Sequence, residues 1–305
     1  MSNGDPSWEL YETFLSVMRT GSLSGASRAL AVAQPTVRRR VEALEASLGA
    51  VLFTRATNGL VPTDAARATL PHAEAMASAA RALVRSTSGP LDDERGTVRV
   101  AASEIIGLEV IPSTLASLRK KWPGLQLELA LSNRLEDLLR RDADVAVRMT
   151  APTQTSLVAR KIGVIPVGLF AHAEYLAQHA APVKPADLLK GHCLIGADRD
   201  RGHINALAMF GLTVSPRDFA IRTDSDGAQL AAVRAGLGIG VCQVPLATRS
   251  PSLRRVLPRV EFLLETWVVM HEDQRRVRRV RLVFEHLAET IGSYLGASKS
   301  KPRRG

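Results

Sequence analysis

The first 63 residues follow an order of three short helices and a hairpin, and this order constrains the fold most strongly. Apolar residues spaced at i, i+4 and i+7 predict a first helix over residues 8–20. Ser22 can cap a second helix, and Pro35 suits the first turn of a third helix that Gly49 ends. The inward-facing residues of the three helices are Leu10, Phe14, Val17, Leu23, Ala26, Ala29, Leu30, Val37, Val41 and Leu44.

A hairpin signal follows the third helix. Residues 51–55 resemble a strand, Asn58-Gly59 is a strong turn signal because both positions need a positive φ, and Leu60-Val61 returns. Three helices followed by a hairpin predict a winged helix–turn–helix domain over residues 6–63. In that motif the second helix of the pair lies in the DNA major groove.

The exposed side of the third helix carries side chains that can contact DNA. Within the helix–turn–helix, residues 23–42, Gln34 can bond an adenine edge and Thr36 can touch a thymine methyl group. An arginine can read guanine or hold a phosphate. The candidate DNA-binding residues are Gln34, Pro35, Thr36, Arg38, Arg39, Arg40 and, on the hairpin, Arg55. The alternative interpretation is a solvated polar helix face, but the hairpin and the capping pattern favour DNA.

A long helix is predicted next, over residues 64–88, with Thr63 as its cap. Its small apolar residues alternate in steps of four and three, which is typical of a helix that pairs with another helix. The predicted dimerisation seam begins at Ala66 and continues through Leu70, Ala73, Ala77, Ala80 and Val84. The alternative is a lone helix that lies on its own domain. Residues 89–96 are a predicted hinge.

From Thr97 onward strands alternate with helices, which predicts an α/β domain over residues 97–295 with a parallel sheet. Strands are predicted around Val98–Val100, Leu125–Leu131 and Val145–Val147. A helix is predicted to run to Lys121, a short helix covers 135–141, and a final helix covers 275–295. The tail, residues 296–305, is basic and is predicted to be disordered.

Charge and length exclude several classes of protein. The chain has 305 residues and a net charge of +10, yet residues 1–63 hold six arginines against five acids, so the N-terminal region is not basic in bulk. The longest stretch without a charged residue, 202–216, is too short to span a membrane. Acidic residues within the first 30 positions argue against a secretory signal, so we expect a cytoplasmic protein. Two cysteines exclude a four-cysteine zinc site, and no metal site is predicted.

An ordered series of motifs extends over nearly the whole chain. The first, GSLSGASRALAVAQPTVRRRVEALEASLGAVLFTRATNGLVPT, resembles the DNA-binding domain of the family of LysR-type transcriptional regulators. The segments RVAASEIIGLEVIPSTLASLRKKWPGLQLELALSNRLEDLLRRDADVAVRM, VRAGLGIGVC and ETWVVMHEDQRRVRRVRLVFEHLAETI resemble its effector-binding domain. Two positions depart from the family pattern, because Ala33 and Arg38 stand where a serine is usual. Either a side-chain cap or a phosphate contact is lost at Ala33, and a lost cap costs about 1 kcal/mol.

The resemblance implies a two-lobed, periplasmic-binding-protein-like α/β effector domain. The first lobe would comprise residues 97–161 and 267–295, and the second residues 162–266, with crossings near Lys161-Ile162-Gly163 and Glu265-Thr266-Trp267. A small-molecule effector would lie between the lobes, and no cofactor is implied. The resemblance also implies promoter DNA with an inverted repeat, a homodimer that often forms a dimer of dimers, and RNA polymerase as partners.

The effector site can also be argued from strand ends, where ligands bind in α/β domains. Ser103, Asn133 and Arg148 follow the first three predicted strands, and Asp224-Ser225-Asp226 follows a later one and opens a helix. In the family, positions like Ser103 and Arg148 and the region of His203 often face the effector. The candidate effector-binding residues are Ser103, Glu104, Asn133, Arg148, His203, Asp224 and Ser225. Each of them has the alternative role of a local cap or a solvated side chain.

Signals for an enzyme are weak. The glycine-rich run at residues 236–240 lies between a helix and the next strand, the wrong order for cradling a phosphate, and predicts only a helix end. His271-Glu272-Asp273 does not present one face, and no nucleophile–base motif is found. A regulator without a catalytic step is therefore favoured over an enzyme or a transport-type binding protein. The low charge of residues 1–63 disfavours a third class, a non-specific DNA-architectural protein.

Overall fold

A computed structural model describes residues 5–56, 59–86, 90–133, 143–154, 156–200 and 202–296, without the side chains of Ser86 and His203. The chain divides after Ser86 into two compact units. The predictions for the turn residue Asn58, the short helix at 135–141 and the tail from 297 lie outside the described residues. None of the helices within these described ranges is long and apolar enough to cross a bilayer.

The N-terminal unit has the predicted order of three helices, a hairpin and a long helix. Helices α1, α2 and α3 comprise Trp8–Thr20, Leu23–Leu30 and Gln34–Leu48; strands β1 and β2 comprise Phe53–Ala56 and Gly59–Pro62; and helix α4 comprises Asp64–Ser86. The apolar faces predicted for the first three helices meet in two clusters. One is built around Phe14 and Leu44, and the other around Val17, Ala26 and Val41. Ala29 is exposed, so its predicted place on the buried side of α2 is wrong.

Local capping explains where these helices begin and end. The Ser22 hydroxyl accepts a hydrogen bond from the backbone N–H of Gly25 at 3.1 Å, and Thr63 Oγ1 accepts one from Ala66 at 3.2 Å. Gly21 and Gly49 end α1 and α3 with φ values of 66° and 65°, where glycine avoids the strain of a side chain. Ala33 precedes α3 without a side-chain cap, as its methyl group requires.

The C-terminal unit alternates strands and helices, with these bounds. The strands are β3 Gly96–Ala102, β4 Leu125–Leu131, β5 Val145–Arg148, β6 Leu157–His172, β7 Leu194–Gly196, β8 Phe219–Arg222, β9 Gly240–Gln243 and β10 Leu253–His271. The helices are α5 Glu104–Glu109, α6 Ile111–Lys121, α7 Ala173–Gln178, α8 Gly202–Ala208, α9 Asp226–Arg234, α10 Val244–Ala247 and α11 Arg278–Gly296.

The expectation of a wholly parallel sheet is wrong. Across the described residues the main sheet has the order β4-β3-β5-β10-β6-β9, in which only β4, β3 and β5 are mutually parallel. Strands β10, β6 and β9 each run antiparallel to their neighbour. The mixed sheet arises because the long strands β6 and β10 pair along most of their length. Pairing between strands so far apart in the sequence leaves no local sequence signal. Strands β7 and β8 form a separate parallel pair.

Two helix boundaries also differ from the prediction. The helix expected to run to Lys121 is broken at Val110 into α5 and α6, because Pro112 lacks the N–H that a continuous helix would use. The final helix begins at Arg278 instead of 275, since residues 272–276 form a separate 3₁₀ turn.

Helices cover the sheet to give two core regions joined by β6 and β10. The first region packs β3, β4 and β5 against α6 and α11, with Val100, Leu118 and Leu287 fully buried. The second surrounds the far halves of β6 and β10 and includes Phe170, Val233 and Ile239. The β6–β10 ladder shifts register between Thr266 and Trp267, at the predicted crossing between lobes. The carboxyl ends of β3, β4 and β5 therefore point toward the junction of the two regions.

Candidate DNA-binding surface and effector cavity

Helix α3 presents an exposed polar face opposite its buried one. Val37, Val41 and Leu44 are buried, whereas Gln34 and Arg38 are exposed. The exposed residues Gln34, Pro35, Arg38, Arg39 and Glu42 line one shallow groove, and Thr36 beside them is half-buried. The groove can therefore offer an amide and two guanidinium groups to a DNA base edge or a phosphate.

Arg40 does not share this face. Its side chain is only 22% exposed, and its Nη2 lies 2.5 Å from Oε2 of Glu9 on α1. Position 40 follows the buried Val37 by three residues, which turns the side chain toward α1. The predicted full exposure of Arg40 is therefore wrong, because its guanidinium pairs within the domain, and its contact with DNA stays a prediction.

Hydrogen bonds from backbone N–H groups in and just before the hairpin hold it against the helices. The carboxylate of Glu45 accepts hydrogen bonds from the N–H groups of Leu52 at 2.6 Å and Phe53 at 3.2 Å. The Leu60 N–H bonds to the Gly21 carbonyl at 2.9 Å. Arg55 is exposed on β1, opposite Leu60 in the ladder. The role of Glu45 in fixing the start of the hairpin was not predicted, because its partners lie beyond the end of its own helix.

Helix α4 uses the first part of the predicted seam inside its own unit. Ala66 and Ala73 belong to the core cluster around Phe14, and Leu70 packs against it. The later positions of the seam differ in exposure: Ala77 is buried, Ala80 is half-buried and Val84 is 68% exposed. As far as Ala73, the alternative of a helix that lies on its own domain therefore describes the packing.

The C-terminal unit contains a cavity of about 510 Å³ at the junction of its two core regions. Three predicted effector-binding residues, Ser103, Asn133 and Arg148, line it together. Each lies at the carboxyl end of a parallel strand, as the sequence argument required. The side chain of His203 lies outside the described groups, although Gly202 and Ala206 of the same helix line the cavity.

Arg148 is the buried cation of this cavity. The residue is 4% exposed, and Nη1 donates a hydrogen bond to the Ser132 carbonyl at 2.7 Å. Ser103 Oγ is also buried, and it has no hydrogen-bond partner among the described residues. A buried hydroxyl and a buried guanidinium provide donors for an oxygen-rich ligand group.

Glu104 and Ser225 lie beside the cavity and bond to each other instead of lining it. Glu104 Oε1 accepts a hydrogen bond from the Ser225 hydroxyl at 2.6 Å, and Oε2 accepts one from the Asp226 N–H at 2.8 Å. Ser225 Oγ in turn accepts from Ala228 and caps α9. These hydrogen bonds join α5 to α9, and a ligand contact by either residue stays a prediction.

Asp224 has a structural role as well. Its Oδ1 accepts hydrogen bonds from the N–H groups of Asp198, Arg199 and Asp200, and Oδ2 accepts one from the Arg199 side chain. These bonds, led by those from Arg199, hold the pKa of Asp224 well below its usual range. Asp224 is absent from the lining of the cavity and instead fixes the loop that places Asp200 there.

Several residues that line the cavity were not predicted. The polar ones are Ser132, Thr150, Asp200, Gln229, Cys242 and Gln243, and the apolar ones include Ile105, Val167, Leu230, Val241, Leu246, Phe262 and Leu264. Asp226, which the strand-end argument named beside Asp224 and Ser225, also lines the cavity. Phe262 and Leu264 alternate on β10, so they share one face of the strand. That alternation was a usable signal, but Gln243 gave none before the topology was known.

Gln243 of the lining also takes part in a buried polar contact. The Tyr294 hydroxyl donates to Gln243 Oε1 at 3.0 Å, with Arg249 stacked 4.7 Å from the Tyr294 ring centroid. Burial raises the pKa of the neighbouring Cys242 thiol to about 12. Cys242 therefore lines the cavity as a neutral thiol, which is a poor nucleophile.

The glycine-rich run has the predicted structural role. Gly236 follows the end of α9 with a φ of 76°, and β9 begins at Gly240. A Cβ atom on Gly238 would lie 2.2 Å from the Cys193 carbonyl oxygen, so only glycine allows the strand to approach so closely. The run thus connects a helix to a strand.

Comparisons with known proteins agree on one family. Residues 8–67 match the model of the bacterial regulatory helix-turn-helix protein, lysR family, and residues 91–292 match the LysR substrate binding domain. The chain is 27% identical over 309 residues to the probable HTH-type transcriptional regulator LtrA of Klebsiella pneumoniae, covering 95% of this chain and 96% of that protein.

Solved structures show the same fold. The full-length virulence activator AphB of Vibrio cholerae has a TM-score of 0.58 at 22% identity, with 93% of this chain and 99% of that chain covered. Full-length CbnR in complex with its target DNA has a TM-score of 0.61 at 22% identity, with the same coverage. At this identity the likeness concerns the fold alone.

Proposed function

This chain belongs to the LysR family of transcriptional regulators, and we propose that its exposed α3 face reads promoter DNA under the control of a small molecule bound in the C-terminal cavity. The chain would act in the cytoplasm and without a catalytic step. The observation that carries the DNA-binding part is the division of α3 into a buried apolar face and an exposed face with Gln34, Arg38 and Arg39.

Two groups of residues would contact DNA, one at the base edges and the other at the phosphates. Gln34, Thr36 and Arg38 lie in the first turns of α3, where a recognition helix contacts base edges. Arg39 and Arg55 would hold phosphates on either side. Because Arg40 pairs with Glu9, we assign it to the support of α3 against α1.

Selection from a pool of randomised duplexes tests this function directly. A two-fold dimer should enrich an inverted repeat, because the symmetry of the site mirrors that of the protein. Enrichment of no sequence above the starting pool would contradict the proposal. Gln34→Ala should lose preference at one base pair in each half-site, which identifies α3 as the reading element.

Pairing of α4 between two chains would supply that dimer. Leu70 and Ala73 contribute to the core of their own unit, so the substitution that tests pairing is made at a later seam position. Ala80→Glu would place two like charges across the seam, whereas Ala79→Glu adds the same charge at a neighbouring exposed position. Sedimentation should show dissociation for Ala80→Glu and an intact dimer for Ala79→Glu. If sedimentation gives the same oligomeric state for both variants, the dimer interface does not lie at position 80.

The larger assembly is proposed on the same basis. Two such dimers would associate into a dimer of dimers on the promoter. RNA polymerase would be the partner whose transcription of the promoter this assembly changes. Sedimentation of the protein with one and with two inverted repeats on a single duplex tests the first step, since tetramer formation predicts cooperative binding to the second repeat.

The effector would act through a coupling free energy. A ligand that prefers one arrangement of the two core regions shifts the chain toward it, and the DNA-binding units respond. Arg148→Ala should abolish the influence of the effector on transcription and leave DNA binding by the unliganded protein intact. Arg160→Ala, an exposed arginine of the same unit, is the matched control. An Arg148→Ala protein that responds with normal concentration dependence would contradict the cavity assignment.

A further inference from the structure

We propose that Glu42 reads a cytosine in the major groove, so that each half-site of the DNA contains a C·G base pair that the protein recognises through a carboxylate. The inference rests on the proposed role of α3 in binding DNA and specifies one base pair of its target. It draws on the position and exposure of Glu42, on the contacts of the charged residues around it and on the hydrogen-bonding groups that DNA exposes.

Glu42 lies on the face of α3 that carries the proposed base-reading residues. It is exposed and lines the same shallow groove as Gln34, Arg38 and Arg39. Arg38 precedes it by about one helical turn, and residues at this spacing have Cβ atoms about 5–6 Å apart on the helix surface. A duplex that contacts Gln34 and Arg38 from the groove therefore also comes close to the Glu42 carboxylate.

The Glu42 carboxylate makes no contact that supports the fold. The side chains of Glu42 and Arg38 form no hydrogen bond or ion pair with the residues that the structure describes. Glu45, three residues further along α3, by contrast accepts hydrogen bonds from the backbone at the start of the hairpin. An arginine followed by a glutamate four residues later is also the less favourable order for an ion pair on a helix surface. Stability of the domain therefore does not account for a glutamate at position 42.

A carboxylate beside DNA needs a hydrogen-bond donor. The phosphates repel it, because duplex DNA carries one negative charge for about every 1.7 Å of its axis. The donors that base edges expose in the major groove are two amino groups, N4 of cytosine and N6 of adenine. Adenine N6 lies beside N7, an acceptor that repels a carboxylate, whereas cytosine N4 lies beside a C–H group. Cytosine is therefore the base that best accommodates Glu42.

Arg38 complements the other strand of such a base pair. The guanine of a C·G pair exposes O6 and N7, two acceptors that suit a guanidinium. Arg38 and Glu42 thus offer a donor and an acceptor from one groove, where the base pair offers acceptors and a donor. A reversed G·C pair would bring the guanine acceptors to Glu42 and repel its carboxylate. The two side chains together therefore specify both the composition and the orientation of the pair.

Selection from randomised duplexes by the full-length protein and two variants tests the assignment. Glu42→Ala should lose the preference for cytosine at one position of each half-site and keep every other preference of the wild type. Glu12→Ala, which removes an exposed glutamate of α1 outside the groove, should select the same sequence as the wild type. Unchanged base preferences in Glu42→Ala would overturn the inference, and so would adenine at the position that this variant relaxes. A wild type that enriches no sequence would contradict the proposed function, and the inference with it.

Equilibrium binding to synthetic duplexes separates a hydrogen bond to cytosine N4 from a general effect of charge. At the selected position, wild-type protein should bind C·G about fivefold or more tightly than each other base pair, and Glu42→Ala less than about twofold. N4-methylcytosine still pairs with guanine but carries a methyl group in place of the N–H that faces the groove. It should weaken binding by the wild type about fivefold or more and by Glu42→Ala less than about twofold. If the methyl group weakens both proteins equally, or if Glu42→Ala binds every duplex more tightly with unchanged preferences, the inference is wrong.

Discussion

The carboxylate of Glu104 accepts a hydrogen bond of 2.6 Å from the hydroxyl of Ser225, 121 residues further along the chain. Glu104 begins α5, which follows the first strand of the first core region, and Ser225 caps α9 in the second. A second contact joins the same helices, because Arg234 donates two hydrogen bonds to the carboxylate of Glu109, at 2.6 and 2.9 Å. Two carboxylates of α5 therefore hold α9 beside the cavity.

Removal of the first contact should weaken the C-terminal unit measurably. Glu104→Ala deletes an acceptor from a hydroxyl and from a helix N-terminal N–H, which should lower the free energy of unfolding by about 1–2 kcal/mol. Urea denaturation measures this loss. Glu289→Ala, an exposed glutamate of α11, should change the free energy by less than about 0.5 kcal/mol. Equal losses in the two variants would show that the Glu104 contact contributes nothing.

The second contact predicts a pH dependence. The hydrogen bonds from Arg234 lower the pKa of Glu109 below its ordinary value of 4.5. A carboxylate with a lowered folded-state pKa stabilises the fold fully above its unfolded pKa, and the stabilisation is lost as the pH falls through the folded value. Wild-type protein should therefore exceed Glu109→Gln in unfolding free energy at neutral pH, and the difference should shrink below pH 4.5. A difference that stays constant down to about pH 3 would contradict this linkage.

The two cysteines should differ sharply in reactivity. Cys193 is exposed, whereas burial raises the pKa of Cys242 to about 12, and the thiolate is the reactive form. Native protein should release one equivalent of thionitrobenzoate from Ellman's reagent and two in denaturant. Native Cys193→Ser should release almost none. Rapid labelling of both thiols in the native wild type would contradict the burial of Cys242 beside the cavity.

Sequence patterns predicted the elements whose causes are local. The caps at Ser22 and Thr63, the helix ends at Gly21 and Gly49 and the apolar faces of α1–α3 all act within a few residues, so the N-terminal unit followed the prediction. The break between α5 and α6 also had a local cause, Pro112, whose effect on the helix was not used.

Long-range partners explain what the sequence did not predict. The mixed sheet depends on pairing of β6 with β10, whose partner residues are about a hundred positions apart along the chain, as in Trp267 with Lys161. Arg40 is less exposed than Arg39 because it faces α1, where Glu9 pairs with its guanidinium. The strand-end rule pointed to Ser103, Asn133, Arg148 and Asp226 because it is general, but Gln243 entered the cavity through the topology.

Equilibrium binding of Gln34→Ala, Arg55→Ala and wild-type protein to a selected inverted repeat and to a random duplex, over a series of salt concentrations, tests the central claim that α3 reads bases and the hairpin holds phosphate. Gln34→Ala should cost about 1–3 kcal/mol on the selected site and almost nothing on the random duplex. Arg55→Ala should weaken binding to both duplexes alike and lower the slope of log K against log salt by about one. If both variants weaken binding to the two duplexes equally, Gln34 does not read a base and the assignment of α3 is wrong.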